Sequence, residues 1–203
     1  MTIRRGEPWG QEAQTPDALR VVPTDRDARE WVLAHRDTDR PLKAVGLAGG
    51  DLARTLGGGT PGRFPGTVMT APVDLLKVEA EGRTTWAIAH VVARRSWWIG
   101  DVWFAMNAQF FGPYDVAPRS HPNDGKVDVV HVLAGMSVRE RLQARERART
   151  GTHLPHPQLV ATQVTTCSAT FARPLVLWID GVRWGTAATV TVTTAPDALI
   201  VYA

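Results

Sequence analysis

Beyond residue 66 the chain alternates short apolar stretches with turn residues. The stretches are VDLLKVEA, TTWAIAHVVA, DVWFAMNAQF, KVDVVHVLA, QLVATQVTTCSATF, PLVLWID, TAATVTVTT and ALIVYA. Each is strand-length, rich in β-branched and aromatic residues, and bounded by Gly, Pro, Asn or Asp. Within one of them Val127, Val129, His131 and Leu133 fall on one face and Asp128, Val130 and Val132 on the other. The second face is itself partly apolar, so this strand is expected to be covered on both sides. One helical pattern interrupts the series: SVRERLQARERARTG opens on Ser137 with Glu140 three residues later, a capping box, and closes on Gly151.

The first 45 residues read differently. TDRDAREWVLAHRD predicts a helix with Thr24 as N-cap and Asp27 at the third position. PLKAVGL predicts a short buried strand that runs into GGDLARTLGGG. Residues 57 to 66, GGGTPGRFPG, hold five glycines and two prolines and mark the expected boundary. The fold expected is therefore α+β: a small α/β segment over 1–57, then a mainly antiparallel β-sandwich over 58–203.

Composition narrows the function classes. A chain of 203 residues with 44% hydrophobic content fills an ordinary globular core. The net charge of +3 is too small to argue nucleic acid, and the arginines of the Ser137 helix are balanced by Glu140 and Glu146. They read as a solvated face, with anionic lipid headgroups as the alternative. No apolar run is long enough to span a bilayer and MTIRRGEPWG has no following apolar segment, so a cytoplasmic protein is the default. Cys167 stands alone, which excludes a disulfide framework and leaves it as a small core residue. His90, His121, His131, His153 and His156 show no metal-ligand spacing, and no Gly-x-Ser-x-Gly elbow occurs. In RRSWWIGDVW two arginines adjoin Trp97 and Trp98. Read as strand, the pair would put one indole outward, suited to a lipid or partner contact.

The order of landmarks resembles the diacylglycerol kinase and sphingosine kinase superfamily, including its bacterial lipid kinases related to NAD kinases. The similarity runs over roughly residues 41 to 203. An Asn-Asp-x-Ala-Arg-x-Leu-Gly segment of that family is similar to Gly50, Asp51, Ala53, Arg54, Leu56 and Gly57. Its Asn, Gly-rich turn, Ala-Pro and Asp-Gly-x-x-Asp-Val correspond to Asn107, Gly112, Ala117, Pro118, Asp124, Gly125, Asp128 and Val129. Its Asp-Gly-Glu corresponds to Asp180 and Gly181, followed here by Val182.

The resemblance implies Asp51, Arg54 and Asn107 as ligand-binding residues and Asp180 as the catalytic carboxylate. It also implies a structural Mg²⁺ held by the Asp124 carboxylate and the carbonyl oxygens of His121 and Lys126. A metal-free hairpin is the open alternative at that turn. Two departures argue against catalysis. Val182 cannot accept a proton where the family has its Glu, and the Gly-Gly-Asp-Gly phosphate loop is missing, which puts ATP binding in doubt. Only 45 residues precede Gly46, fewer than a doubly wound nucleotide domain needs, so the chain, if complete, is expected to lack most of it. The expectation is a lipid-kinase-like pseudoenzyme that binds a lipid, a small ligand or a protein partner, with a homodimer left open. The alternative is a lipid kinase or other enzyme whose site a second subunit completes, using Asp51, Asp124 or Asp180.

Overall fold

The computed structural model describes residues 8–36, 42–60 and 62–203. Asp37 at the end of the first helical pattern, Pro41 at the start of PLKAVGL and Pro61 in the glycine-rich segment lie outside them.

Strands β1 (Gln11–Gln14) and β2 (Arg20–Val22) lead into helix α1 (Asp25–His35), strand β3 (Val45–Leu47) and the short helix α2 (Asp51–Thr55). Then follow β4 (Thr67–Ala80), β5 (Arg83–Ala87), β6 (His90–Arg94), β7 (Val102–Met106), β8 (Phe110–Phe111), β9 (Tyr114–Asp115) and β10 (Val127–Val132). Helix α3 (Val138–Arg147) ends in a 3₁₀ turn and precedes β11 (Leu159–Val164), β12 (Thr166–Ile179) and β13 (Val182–Tyr202). The hydroxyl of Thr24 caps α1, and Ser137 with Glu140 forms the capping box of α3, as their spacing predicts. Gly151 closes the 3₁₀ turn at φ +67°.

The main sheet runs β1-β4-β13-β12-β6-β7-β10-β11, antiparallel throughout, with β5 added to β4. Leu76 and Val78 of β4, Val91 of β6, Ala105 of β7, Val129 of β10, Leu177 of β12 and Val190 of β13 all turn into one buried core. One sheet supplies both walls of that core, so it curls into the expected sandwich. Cys167 packs half-buried against this core, and burial pushes its thiol up to about 11. The opposite face of β10 is also covered: Val130 and Val132 join Val92, Phe104 and Met106 in a second cluster.

The α/β piece is a strand–helix–strand unit. β2 pairs parallel with β3 and β3 parallel with the end of β13, while α1 connects β2 to β3. Val32 of α1, Leu47 of β3, Leu52 of α2, Leu75 of β4 and Val201 of β13 share a third buried cluster. Its position matters for function, because it aims two helix N-termini at one point.

Candidate functional site

Asp25 follows the carboxyl end of β2 and opens α1; Asp51 follows the carboxyl end of β3 and opens α2. The Asp25 carboxylate accepts hydrogen bonds from the amides of Asp51 and Leu52, satisfying two donors that the start of α2 would otherwise leave orphaned. Gly50 is the residue that permits this approach: its φ is +101°, and a Cβ there would overlap the Asp25 carboxylate. Asp51 in turn accepts from the Gly112 amide at 3.0 Å and lies 3.3 Å from His90 Nε2. Asp25, Asp51 and His90 each bring a ligand-type atom within 4.8 Å of the others, the one such trio among the described residues. Sequence spacing concealed it, since nothing in a separation of 26 positions marks the aspartates as neighbours.

Asp180 completes the cluster from the far end of the chain. It and Gly181 form the two-residue loop between β12 and β13, with φ +46° and +80°, the geometry that an Asp-Gly hairpin favours. The Asp180 carboxylate accepts from the amides of Ile88, Ala89 and His90, each at 2.9 Å, and its own amide donates to the His90 carbonyl. These bonds hold the bend that separates β5 from β6, which is why TTWAIAHVVA is two strands rather than the single one expected. Val182 is half-buried at the start of β13 and pairs with Ile179.

Three carboxylates and one imidazole thus share an enclosed space. Burial, reinforced by the charge of Asp180, pushes Asp25 up to about 7. Burial raises Asp180 as well, against the pull of His90 and the three amides. For His90 burial works toward the neutral ring, but the Asp51 hydrogen bond and the charges of Asp180, Asp51 and Asp25 outweigh it and raise its affinity for the proton. The backbone amides, and the His90 ring when protonated, are the positive partners of this cluster.

Of the other expected site residues, Arg54 and Asn107 border this cluster, and Asp124, His121 and Lys126 form a turn of their own. Arg54 donates to the Gly112 carbonyl at 2.7 Å and stacks over Phe110. Asn107 is fully buried and its side-chain amide bonds the carbonyls of Asp74 and Ile88, so it ties β4 to the β5–β6 bend. Asp124 and Gly125 form a turn with Gly125 at φ +70°. Asp124 accepts from the Lys126 amide and from Gln163, whose side chain also reaches Asp128. The His121 carbonyl accepts the Asp124 amide at 3.3 Å. What anchors this turn is a residue the sequence did not mark: Asp74, wholly buried, accepts from the amides of Gly125 and Asp197. Asp101 pairs with His131 and Asp115 accepts from Gln109.

The YegS C-terminal NAD kinase beta sandwich-like domain matches residues 81–203, more than half of the chain. This chain belongs to that family. A search of curated proteins finds no match. Among solved structures, a diacylglycerol kinase from Bacillus anthracis strain Sterne superimposes with a TM-score of 0.55 at 11% identity, over 79% of this chain and 67% of that one. A putative diacylglycerol kinase from the same organism gives 0.56 at 10% identity, over 79% and 69%. Another gives 0.55 at 10%, over 78% and 67%. At such identities the likeness is one of fold, and it establishes a diacylglycerol-kinase-like architecture.

In this YegS-type sandwich a cavity of about 260 Å³ lies between α3 and the outer face of β7 and β10. Trp97, Trp98, Phe104, Phe111, Val130 and Ala144 line it. Phe111 is the wall it shares with the polar cluster, its ring meeting His90 edge-on at 4.9 Å between centroids. Trp97 and Trp98 lie past the end of β6, not within a strand, so the alternation expected of them does not apply. Both are about a third exposed, at 36% and 37%. Trp97 packs near Phe104 and Phe111 with the Arg94 guanidinium 4.0 Å from its ring centroid.

Proposed function

We infer that this chain is a lipid-binding member of its family that does not itself transfer phosphate. The observation that carries the reading is the apolar cavity under α3. A half-open space walled mostly by indole, phenyl and aliphatic side chains favours an acyl chain through the area it removes from water. At about 260 Å³ it accepts part of a lipid and leaves the headgroup outside, beside Arg145 and Tyr114 on its rim. The absence of transfer is supported by Val182, which offers no proton acceptor, and by the burial of Asp180. A general base must reach the proton it removes, and Asp180 is 3% exposed with both oxygens bonded to main-chain amides.

One observation favours a second reading. Asp25 and Asp51 stand at the carboxyl ends of parallel strands, where α/β folds bind ligands, and they converge with Asp180 on His90. In that reading Asp51 and Asp180 serve a lipid kinase, or another enzyme, whose site a second subunit completes. Both readings meet in one experiment, incubation of the purified chain with a short-chain diacylglycerol and MgATP. The expected result is capture of the lipid without phosphorylation, and loss of capture by at least about tenfold in Ala144→Phe, which fills the cavity. Phosphorylated product that disappears in Asp180→Asn would overturn the first reading in favour of the second.

The Asp124 turn suits a structural Mg²⁺. Its donors are all oxygens, as hard cations require: the Asp124 carboxylate with the main-chain oxygens of His121 and Lys126. The Asp128 carboxylate, bonded to the same Gln163 amide as Asp124, and the buried side-chain oxygen of the adjoining Asn123, which has no hydrogen-bond partner, are further candidate donors. Burial raises Asp124 and pushes Asp128 up to about 6, so the protein alone neutralises neither fully. Bound there, the ion would pin the turn. Millimolar Mg²⁺ is expected to raise Tm by a few degrees, reversibly with chelator, and Asp124→Asn to abolish the response. A Tm indifferent to both would end the proposal.

A further inference from the structure

Five of the eight large apolar residues that stand exposed among the described residues belong to one place: Trp97, Trp98 and Ile99 of the loop after β6, and Val138 and Leu142 of α3. Ile99 at the loop tip is 68% exposed. Val138 and Leu142 are four residues apart on one face of α3 and are 46% and 52% exposed. The loop does not flex freely against the helix. The buried Arg141 donates to the carbonyls of Gly100 at 2.6 Å and Trp97 at 3.3 Å, and also to those of Leu133 and Met136 on its own side. One guanidinium therefore clamps the loop to α3 and holds the apolar side chains out together.

The surroundings are basic. Arg95, Arg139, Arg145, Arg147 and Arg149 are exposed on the same loop and helix. The acids nearby are engaged: Glu140 in the capping box, Glu146 with Arg149, and Asp101 with His131. The Arg145 guanidinium lies over the rings of Trp98 and Tyr114, 5.7 and 5.1 Å from their centroids. An apolar tip ringed by arginines matches the boundary of an anionic bilayer, where the side chains enter the acyl region and the guanidinium groups meet lipid phosphates.

We propose that the Trp97–Ile99 loop and the outer face of α3 form a docking surface for anionic lipid bilayers. The choice of a bilayer over a protein partner rests on the lipid reading of the cavity, which lies directly between this loop and α3. A lipid extracted from a membrane would pass from the docked surface into that space without crossing water.

The test is co-sedimentation of the full chain with vesicles of phosphatidylcholine alone and with about a third phosphatidylglycerol, at low and high salt. Binding is expected to the anionic vesicles only, weakening at least about tenfold in high salt. Ile99→Ser with Leu142→Ser is expected to reduce it at least about tenfold, and Arg139→Gln with Arg147→Gln to reduce it and flatten its salt dependence. Neither pair lines the cavity and all four side chains are exposed, so an unchanged Tm controls for folding. Failure to sediment with anionic vesicles at low salt, or sedimentation indifferent to Ile99→Ser with Leu142→Ser, overturns the proposal. The two lipid inferences fail separately. Vesicle binding without capture of dispersed short-chain lipid removes the cavity reading and leaves the docking surface standing. Capture without vesicle binding does the reverse.

Discussion

Asp180→Ala is expected to destabilise the chain by about 3–5 kcal/mol, a large part of the total stability of a domain this size. The reason is the count of donors it leaves behind. Ile88, Ala89 and His90 present three buried amides to a single carboxylate, and each unsatisfied buried donor costs about 1–3 kcal/mol. Part of this is offset, because burial already disfavours the Asp180 charge and removing it relieves that cost. Asp180→Asn keeps an acceptor oxygen and is expected to lose roughly half as much. Urea titration of both variants against wild type measures the difference. A loss below about 1 kcal/mol in Asp180→Ala would mean that water replaces the carboxylate and that the bend between β5 and β6 is held by other contacts. The same bonds bear on function. A carboxylate committed to three amides braces the bend, and its place in an Asp-Gly turn suits hairpin geometry.

Features that depend on neighbours in sequence were legible. The caps at Thr24 and Ser137 located both long helices because capping is settled within four residues. Apolar alternation located the strands, and the double apolar face of β10 correctly implied cover on both sides. Strand lengths were harder. PLVLWID and ALIVYA read as strands of their own, yet β12 and β13 run through Pro174 and Pro196, because each proline falls in a register shift where its missing N–H is tolerated. The tryptophan pair was read by strand geometry, which ends at Arg94. The polar cluster was the least legible part. Asp25 looked like one more acidic residue in a helix start, Asp74 like an ordinary polar position in β4, and His90 like a lone histidine. Their roles arise from pairings across 26 to 123 residues, which no local pattern encodes. Of the family landmarks, Asn107 and Asp180 stand at the β5–β6 bend, Asn107 bonded to the Ile88 carbonyl and Asp180 to the Ile88 amide, and Asp51 reaches the His90 ring beside it.

The buried carboxylates of this cluster and of the Asp124 turn set an unusual pH dependence. Most domains gain stability as carboxylates ionise above their unfolded pKa values, but here the buried carboxylates are raised: Asp25 to about 7, Asp74 and Asp128 to about 6, each chiefly by burial. A group raised on folding holds its proton in the native state while the unfolded chain has released it, so stability falls as pH rises from the unfolded value through the folded one. The window is about pH 4 to 7 for the three aspartates. His90 acts in the same direction and extends it upward: its protonated form, favoured by Asp51 and its neighbours, contributes fully below the ordinary histidine value and is lost above the raised one. Unfolding free energy is therefore expected to fall by about 2–4 kcal/mol between pH 5 and pH 8, after discounting for the sharing of protons between neighbouring groups. Asp25→Asn removes the largest contributor. Its amide cannot ionise, so its stability relative to wild type should improve steadily from pH 5 to pH 8, giving a flatter curve. Urea titrations at pH 5, 6, 7 and 8 decide the matter. Stability that rises over this range, or an Asp25→Asn curve parallel to wild type, would show that Asp25 is ionised throughout and that the Asp51 and Leu52 amides with the His90 imidazolium suffice to hold its charge in a buried place.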